Sequence, residues 1–271
     1  MINLGDKTIK LYLGSNDSLK GYLNEKLVYG DETPAWNGLH LTAVDPNCTV
    51  TLKKSDPAET MILSDTAYST DGVSWTNVEW DENGRSQTVT LANPGDTVYY
   101  KNTLVAKPDL SSNIYFDILG GRVSADGYIE SMAVGDSYDD PAVYMTEIPG
   151  AYQMLFQGAD LLTTIPKIHS IIKSPRGLNC TFQGCEGLTS VTDFNIQCQA
   201  ERALSSCFAG CNALETISGE IIFDTAADGV CSETFSGCTA LTNAPKLTWL
   251  TSSVAAETCE LMFGGRESLV S

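Results

Sequence analysis

What the sequence lacks narrows its reading first. Basic residues are scarce: 16 Lys and Arg face 34 Asp and Glu, a formal net charge of −18 over 271 residues. So acidic a surface repels nucleic acid and anionic membrane, and neither is expected as a partner. No stretch approaches the ~18 consecutive apolar residues of a membrane span, so membrane insertion is not expected. The opening Met1-Ile2-Asn3-Leu4-Gly5-Asp6 has no basic segment leading into an apolar run, so no secretory signal is read there. Wall-anchoring and lipid-attachment patterns are missing as well. The expectation is a protein made in a cytoplasm that leaves it, if at all, by another route.

Catalytic motifs are missing too. There is no phosphate-cradling loop, no dinucleotide fingerprint, no His-Glu-x-x-His and no Gly-x-Ser-x-Gly. The two histidines, His40 and His169, lie in different segments with no partnered nucleophile in sequence. Cys207-x-x-x-Cys211 and Cys180-x-x-x-x-Cys185 have a zinc-like look, but no second pair at finger spacing and no nearby histidine completes a site. No catalytic residue, cofactor or metal is therefore assigned, and an enzyme is not expected. Asp136-Ser137-Tyr138-Asp139-Asp140 could offer calcium ligands but lacks a loop pattern, and reads better as a solvated linker.

What is present is a hydrophobic content of 42% with mean hydropathy near zero, as in folded globular chains. Three segments follow one another. Residues 1–33 carry a short repeated pattern, Leu4 to Tyr12, Leu13 to Tyr22 and Leu23 to Gly30, with polar turns between partly alternating apolar stretches. That reads as a β-meander, too small to bury a core alone, which needs another surface to rest on.

Residues 35–149 read as an all-β domain. Thr49–Leu52, Ser74–Val78, Gln87–Leu91 and Thr97–Tyr100 are rich in β-branched and aromatic residues, and Asp71-Gly72, Asn83-Gly84, Pro94-Gly95-Asp96 and Asp126-Gly127 punctuate them. The spacing suggests an Ig-like β-sandwich. Trp36, Trp75, Trp80, Tyr99 and Tyr100 are expected as core or edge residues, with a sugar-stacking face as the alternative.

From residue 150 to 271 the period changes. Phe156, Phe182, Phe208, Phe235 and Phe263 stand at intervals of 26, 26, 27 and 28. Glycine follows two residues later each time, and Leu162, Leu188, Leu214, Leu241 and Leu269 follow six residues later. Nine residues after the phenylalanine come Ile165, Val191, Ile217 and Ala244. Five copies of such a unit predict a solenoid in which stacking merges the apolar edges into one core. Each leucine and the branched residue three further on should bracket a short strand in a parallel ladder, with irregular or short helical connections opposite.

Eight of the nine cysteines fall in this half. Cys185, Cys211 and Cys238 sit three residues after a phenylalanine, where other copies carry Ala159 and Arg266. Cys231 and Cys259 sit four before one, where Tyr152, Leu178 and Leu204 stand elsewhere. Exchange with such residues marks them as buried free thiols, with disulfides or a metal as the alternatives.

The segments Phe182-Gln183-Gly184-Cys185-Glu186-Gly187-Leu188-Thr189 and Phe235-Ser236-Gly237-Cys238-Thr239-Ala240-Leu241-Thr242 resemble the Phe-x-Gly-Cys-x-x-Leu-Thr core of BspA-type leucine-rich repeats, over roughly residues 152–271. Such repeats occur in bacterial surface proteins and in proteins of phages of gut bacteria, and the resemblance implies binding and adhesion rather than catalysis. The first thirty residues look like the N-terminal segment of phage tail or fibre proteins, which joins them to the particle. That resemblance makes Leu4, Tyr12, Leu13, Tyr22, Leu23 and Tyr29 the candidate anchoring residues. Tyr68-Ser69-Thr70-Asp71-Gly72-Val73-Ser74-Trp75 looks like the sandwich that precedes such repeats.

Together these imply a non-enzymatic virion protein, a fibre or decoration component, with a BspA-like bacterial cell-surface adhesin as the alternative. The partners implied are other virion proteins through the N-terminal segment, a second copy of the chain in a homo-oligomer, and a host surface protein or glycan. The location implied is the virion, with the bacterial cell surface as its alternative. The last copy stops at Ser271 without a recognisable cap, so either a partner is expected to cover the array or the natural chain is longer.

Overall fold

The computed structural model describes residues 36–55, 63–104, 113–138, 148–169, 171–251 and 256–265 and, within residues 1–35, the backbone of four strands. The chain forms two compact units, Met1–Asn37 and Gly38–Ser271, and is mainly β.

The first unit is an antiparallel meander of β1 (Ile2–Leu4), β2 (Lys7–Leu13), β3 (Leu19–Leu23) and β4 (Lys26–Tyr29), in that order. Ile9 pairs with Leu23 and Leu13 with Leu19, so the repeated pattern brings like residues opposite each other. Leu4, Tyr12, Leu13, Tyr22, Leu23 and Tyr29 all lie on these strands. Their side chains fall outside the described residues.

The second unit opens with β5 (His40–Ala43), β6 (Cys48–Lys54), β7 (Leu63–Ser69), β8 (Thr76–Asn77), β9 (Val89–Leu91), β10 (Thr97–Leu104), β11 (Ile114–Leu119) and β12 (Val123–Asp126). Alternation decides which face is buried: Cys48, Val50 and Leu52 of β6 and Ile114, Phe116 and Ile118 of β11 all point inward. One sheet runs β11-β6-β9. The other runs β12-β5-β10-β7-β8 and gains β13 (Leu162–Thr164) beyond β12. The two contribute to one apolar cluster, and Tyr100 of the larger sheet meets Phe116 of the smaller edge-on at 4.9 Å. A single helical turn, α1 (Ser131–Val134), packs on β10, where the buried Ser131 hydroxyl donates to Tyr100 O and accepts from the Leu39 N–H.

The remainder is a β-solenoid of about three turns. Its strands are β14 (Ile171–Ile172), β15 (Ser190–Val191), β16 (Ile196–Cys198), β17 (Thr216–Ile217), β18 (Glu220–Phe223) and β19 (Lys246–Trp249). The short strand expected between each leucine and the branched residue is present as β13, β15 and β17, and β15 pairs with β17 in parallel. A second parallel ladder, β14-β16-β18-β19, was not legible in the repeat alignment.

The third side of the coils is a column of stacked turns, which in the last described coil opens with a short 3-10 helix, Ala256–Cys259. In the first coil, the N–H groups of Tyr152, Met154, Phe156 and Gly158 donate to the carbonyls of Gly177, Asn179, Thr181 and Gln183 in the next coil, at 2.8–3.1 Å. The intervening Leu155, Gln157 and Ala159 donate three residues back. Every N–H of this run is thus satisfied without a helix or a sheet. The conserved spacing of glycine has its cause here. Gly158, Gly184, Gly210, Gly237 and Gly265 are all left-handed, with φ between 73° and 77°. The left-handed backbone calls for glycine there, since an added Cβ from Gly184 onward would make only ordinary van der Waals contact with the preceding glycine, at 3.5–3.7 Å.

The phenylalanines form a continuous stack. Phe116 of the smaller sheet begins it, and Phe156, Phe182, Phe208, Phe235 and Phe263 follow at centroid distances of 5.1, 5.7, 5.4, 5.7 and 5.4 Å. Leu162, Leu188, Leu214 and Leu241 are fully buried beside them; Leu269 lies outside the described residues. Cys185, Cys211 and Cys238 are buried, and each thiol donates to the carbonyl of the phenylalanine one coil earlier, at 3.0–3.1 Å. Burial holds the Cys185 and Cys198 thiols well above the ordinary thiol range.

One cysteine expectation is overturned. Cys231 and Cys259 form a disulfide, while the other seven are free. Both occupy the same position of successive coils, and stacking brings their Cα atoms to 4.7 Å, within disulfide range.

The first coil joins both sheets that precede it. β12 pairs in parallel with β13, and the Phe116 N–H of β11 donates to Leu155 O in the turn column at 2.9 Å. The sheet therefore runs across residue 150, where the composition changes, and the two-sheet region closes that end of the solenoid.

Candidate functional site

The aromatic residues weighed as a sugar platform do not form one. Trp36 and Tyr100 are 5% and 1% exposed. Trp75 carries Lys101 Nζ over its ring at 4.4 Å, and Trp80 carries Lys54 Nζ at 4.6 Å. The acidic run after α1 is partly engaged as well: Asp136 accepts from Lys101 Nζ at 2.9 Å, while Asp139 and Asp140 lie outside the described residues. Among the described residues no cluster of His, Cys, Asp and Glu is placed to hold a metal ion.

One concave feature is a cleft of about 600 Å³ where the larger sheet meets the solenoid. One wall is the end of β12 and the loop after β13. That loop is pinned by backbone bonds, Lys167 N–H to Gly127 O at 2.8 Å and Ile129 N–H to Lys167 O at 3.0 Å. Beneath it Glu130 is buried, with its side chain 2% exposed. Glu130 accepts the His169 backbone N–H at 2.8 Å, and its second oxygen lies 3.2 Å from His169 Nδ1. The backbone bond places His169 beside the carboxylate, and the Tyr128 ring stacks on the imidazole at 4.3 Å with 4° between planes. Tyr128 also stacks on Tyr138.

The opposite wall is the loop after β15, residues 192–196. Phe194 N–H donates to Ser218 O at 2.9 Å, and Asn195 Oδ1 accepts the Glu220 N–H at 3.0 Å, tying this loop to the next coil. Gly219 permits the approach: its φ is 117°, and a Cβ there would lie 2.5 Å from Phe194 O. Both walls are thus built before any ligand arrives.

The lining is mixed. Ile165, Ile168, Phe194 and Ile196 supply apolar surface, while Asp126, Thr164, Lys167, Thr192 and Asp193 supply polar groups. Lys167 and Asp126 lie 3.8 Å apart and are more than half exposed, so their attraction is weak.

The repeat residues Phe156, Phe182, Phe208, Phe235, Leu162, Leu188, Leu214, Leu241, Cys185, Cys211 and Cys238 are all buried, and Phe263 is partly so. None lines the cleft. Its residues come mostly from outside the repeat positions, and of them sequence alone singles out Ile165 as a repeat position, Asp126 in a turn and His169. Glu130 and Tyr128 lie 39 and 41 positions earlier, and no local motif links them to it. The run Ile165-Pro166-Lys167-Ile168-His169 gave no distinguishing signal either, since Ala244-Pro245-Lys246-Leu247 stands at the same place in the fourth copy.

No protein-family model, curated protein or solved structure matches the chain.

Proposed function

We propose that the protein is a non-enzymatic virion component of a phage, a fibre or decoration protein. In this reading residues 1–33 bind other virion proteins, an Ig-like sandwich acts as spacer, and a BspA-type leucine-rich repeat array presents a surface to a host protein or glycan. The observation that carries the recognition part is the division of labour in the solenoid. Residues that recur in every coil are sunk in the core, so the residues that differ are free to make the surface. The anchoring part is supported by the register of the meander, a separate unit of 37 residues too small for a self-sufficient core.

The test is incorporation into particles. A tagged full-length chain supplied during phage growth should co-purify with intact particles, and a copy lacking residues 1–33 should be left in the lysate. Equal incorporation of both would sink the reading.

A further inference from the structure

We propose that the cleft between residues 125–128 and 164–169 on one side and 192–196 on the other is a saccharide site, which takes the end of a short neutral glycan. The inference rests on reading the chain as a recognition protein, but not on its attachment to a particle. At about 600 Å³ the cleft is of the size that holds a small-molecule ligand. Both walls are fixed by backbone hydrogen bonds, so little ordering opposes binding.

The lining selects the class. An anionic ligand would meet Asp126 and Asp193, and a simple cation would meet Lys167. A dense array of hydroxyls satisfies both signs, because each hydroxyl donates to a carboxylate and accepts from an ammonium group. Such bonds to charged partners are the stronger kind. Thr164 and Thr192 add hydroxyls of their own on opposite walls, and the C–H face of a sugar ring has Ile165 and Ile168 to lie against. Elsewhere the tryptophan rings of Trp75 and Trp80 each carry a lysine, and a smaller cleft of about 310 Å³ around Arg202, Ser206, Asp228 and Glu233 has no aliphatic side chain in its lining for a sugar ring to lie against.

The experiment uses the full chain and a panel of neutral di- and trisaccharides ending in glucose, galactose, mannose or N-acetylhexosamine, read by saturation-transfer NMR. At least one sugar should bind saturably. Asp193→Asn and Lys167→Ala should each weaken it about tenfold or more, and Thr192→Trp, which fills the mouth, should abolish it. Asp193, Lys167 and Thr192 are exposed, so melting temperatures should stay unchanged and separate lost binding from lost folding. The proposal is overturned if no sugar binds, if binding ignores these substitutions, or if only an oligolysine peptide binds with that sensitivity. Sugar binding by a chain that fails to enter particles would overturn the virion reading and leave the cleft assignment standing.

Discussion

The two ends of the solenoid are finished differently. At the first coil both sheets of the preceding region bond to it, and Phe116 and Phe156 are at most 1% exposed. At the last described coil Phe263 and Trp249 are only partly buried, and Leu250 and Leu261 are about 60% exposed. There the Cys231–Cys259 disulfide ties one coil to the next. A repeat gains its stability from its neighbours. A coil with neighbours on both sides is held by packing, and a coil at the rim depends more on a covalent link.

The largest effect should separate the ends directly. Phe156→Ala removes a fully buried ring from the stack and should cost about 3–5 kcal/mol, whereas Phe263→Ala should cost less than about half of that. Urea unfolding of the two variants measures the difference, and equal losses would erase the contrast. Next comes the disulfide. Its reduction should loosen the last two coils by up to about 2–4 kcal/mol, seen by hydrogen exchange as local opening near residue 259 with residues 150–160 still protected. Alkylation of denatured, unreduced protein should label the seven free cysteines, and labelling of all nine would remove the link.

A smaller loss is expected in the middle of the array. Gly219→Ala forces a Cβ to within 2.5 Å of Phe194 O at a φ of 117°, and should cost about 1–3 kcal/mol while displacing one wall of the cleft. Gly95 has open space around its would-be Cβ, so Gly95→Ala should cost less; a reversal of that order would contradict the close approach. The smallest effect lies near the closed end. Arg122 binds Asp45 through Nε and Nη2, both at 2.9 Å, and through its backbone N–H. These hydrogen bonds lower the Asp45 carboxyl to about 2. A depressed carboxyl contributes stability above its unfolded pKa and loses it as pH falls through its folded one. NMR titration should place the Asp45 midpoint near 2 and return it toward 3.8 in Arg122→Gln; an unchanged midpoint would show that Arg122 is not the cause.

Much of the scaffold was legible before folding. The phenylalanine, glycine and leucine positions marked the coils, because stacking demands the same volume and the same turn at the same place each time. β13, β15 and β17 were legible for that reason. The second ladder β14-β16-β18-β19 was not, because its columns vary in residue type, as in Ile171, Gln197, Ile222 and Thr248, and these four stand 15, 15, 14 and 13 residues after the phenylalanine of their copy. A strand in a parallel ladder needs backbone partners more than particular side chains. The disulfide was missed because Cys231 and Cys259 stood in a column with Leu178 and Leu204, and a column position predicts burial but not bonding.

The sequence by itself determined the repeat length, the buried column and the β class, since these depend on periodic identities that local sterics and burial enforce. Only the tertiary structure decided where a ligand could go. Tyr128, His169 and Asp193 belong to no common motif, and they line one cleft because β12 accepts β13 as a parallel neighbour and the next coil stacks beyond it. A cleft of that kind is a product of how two architectures join, and joining is set by long-range pairing rather than by any local run of residues.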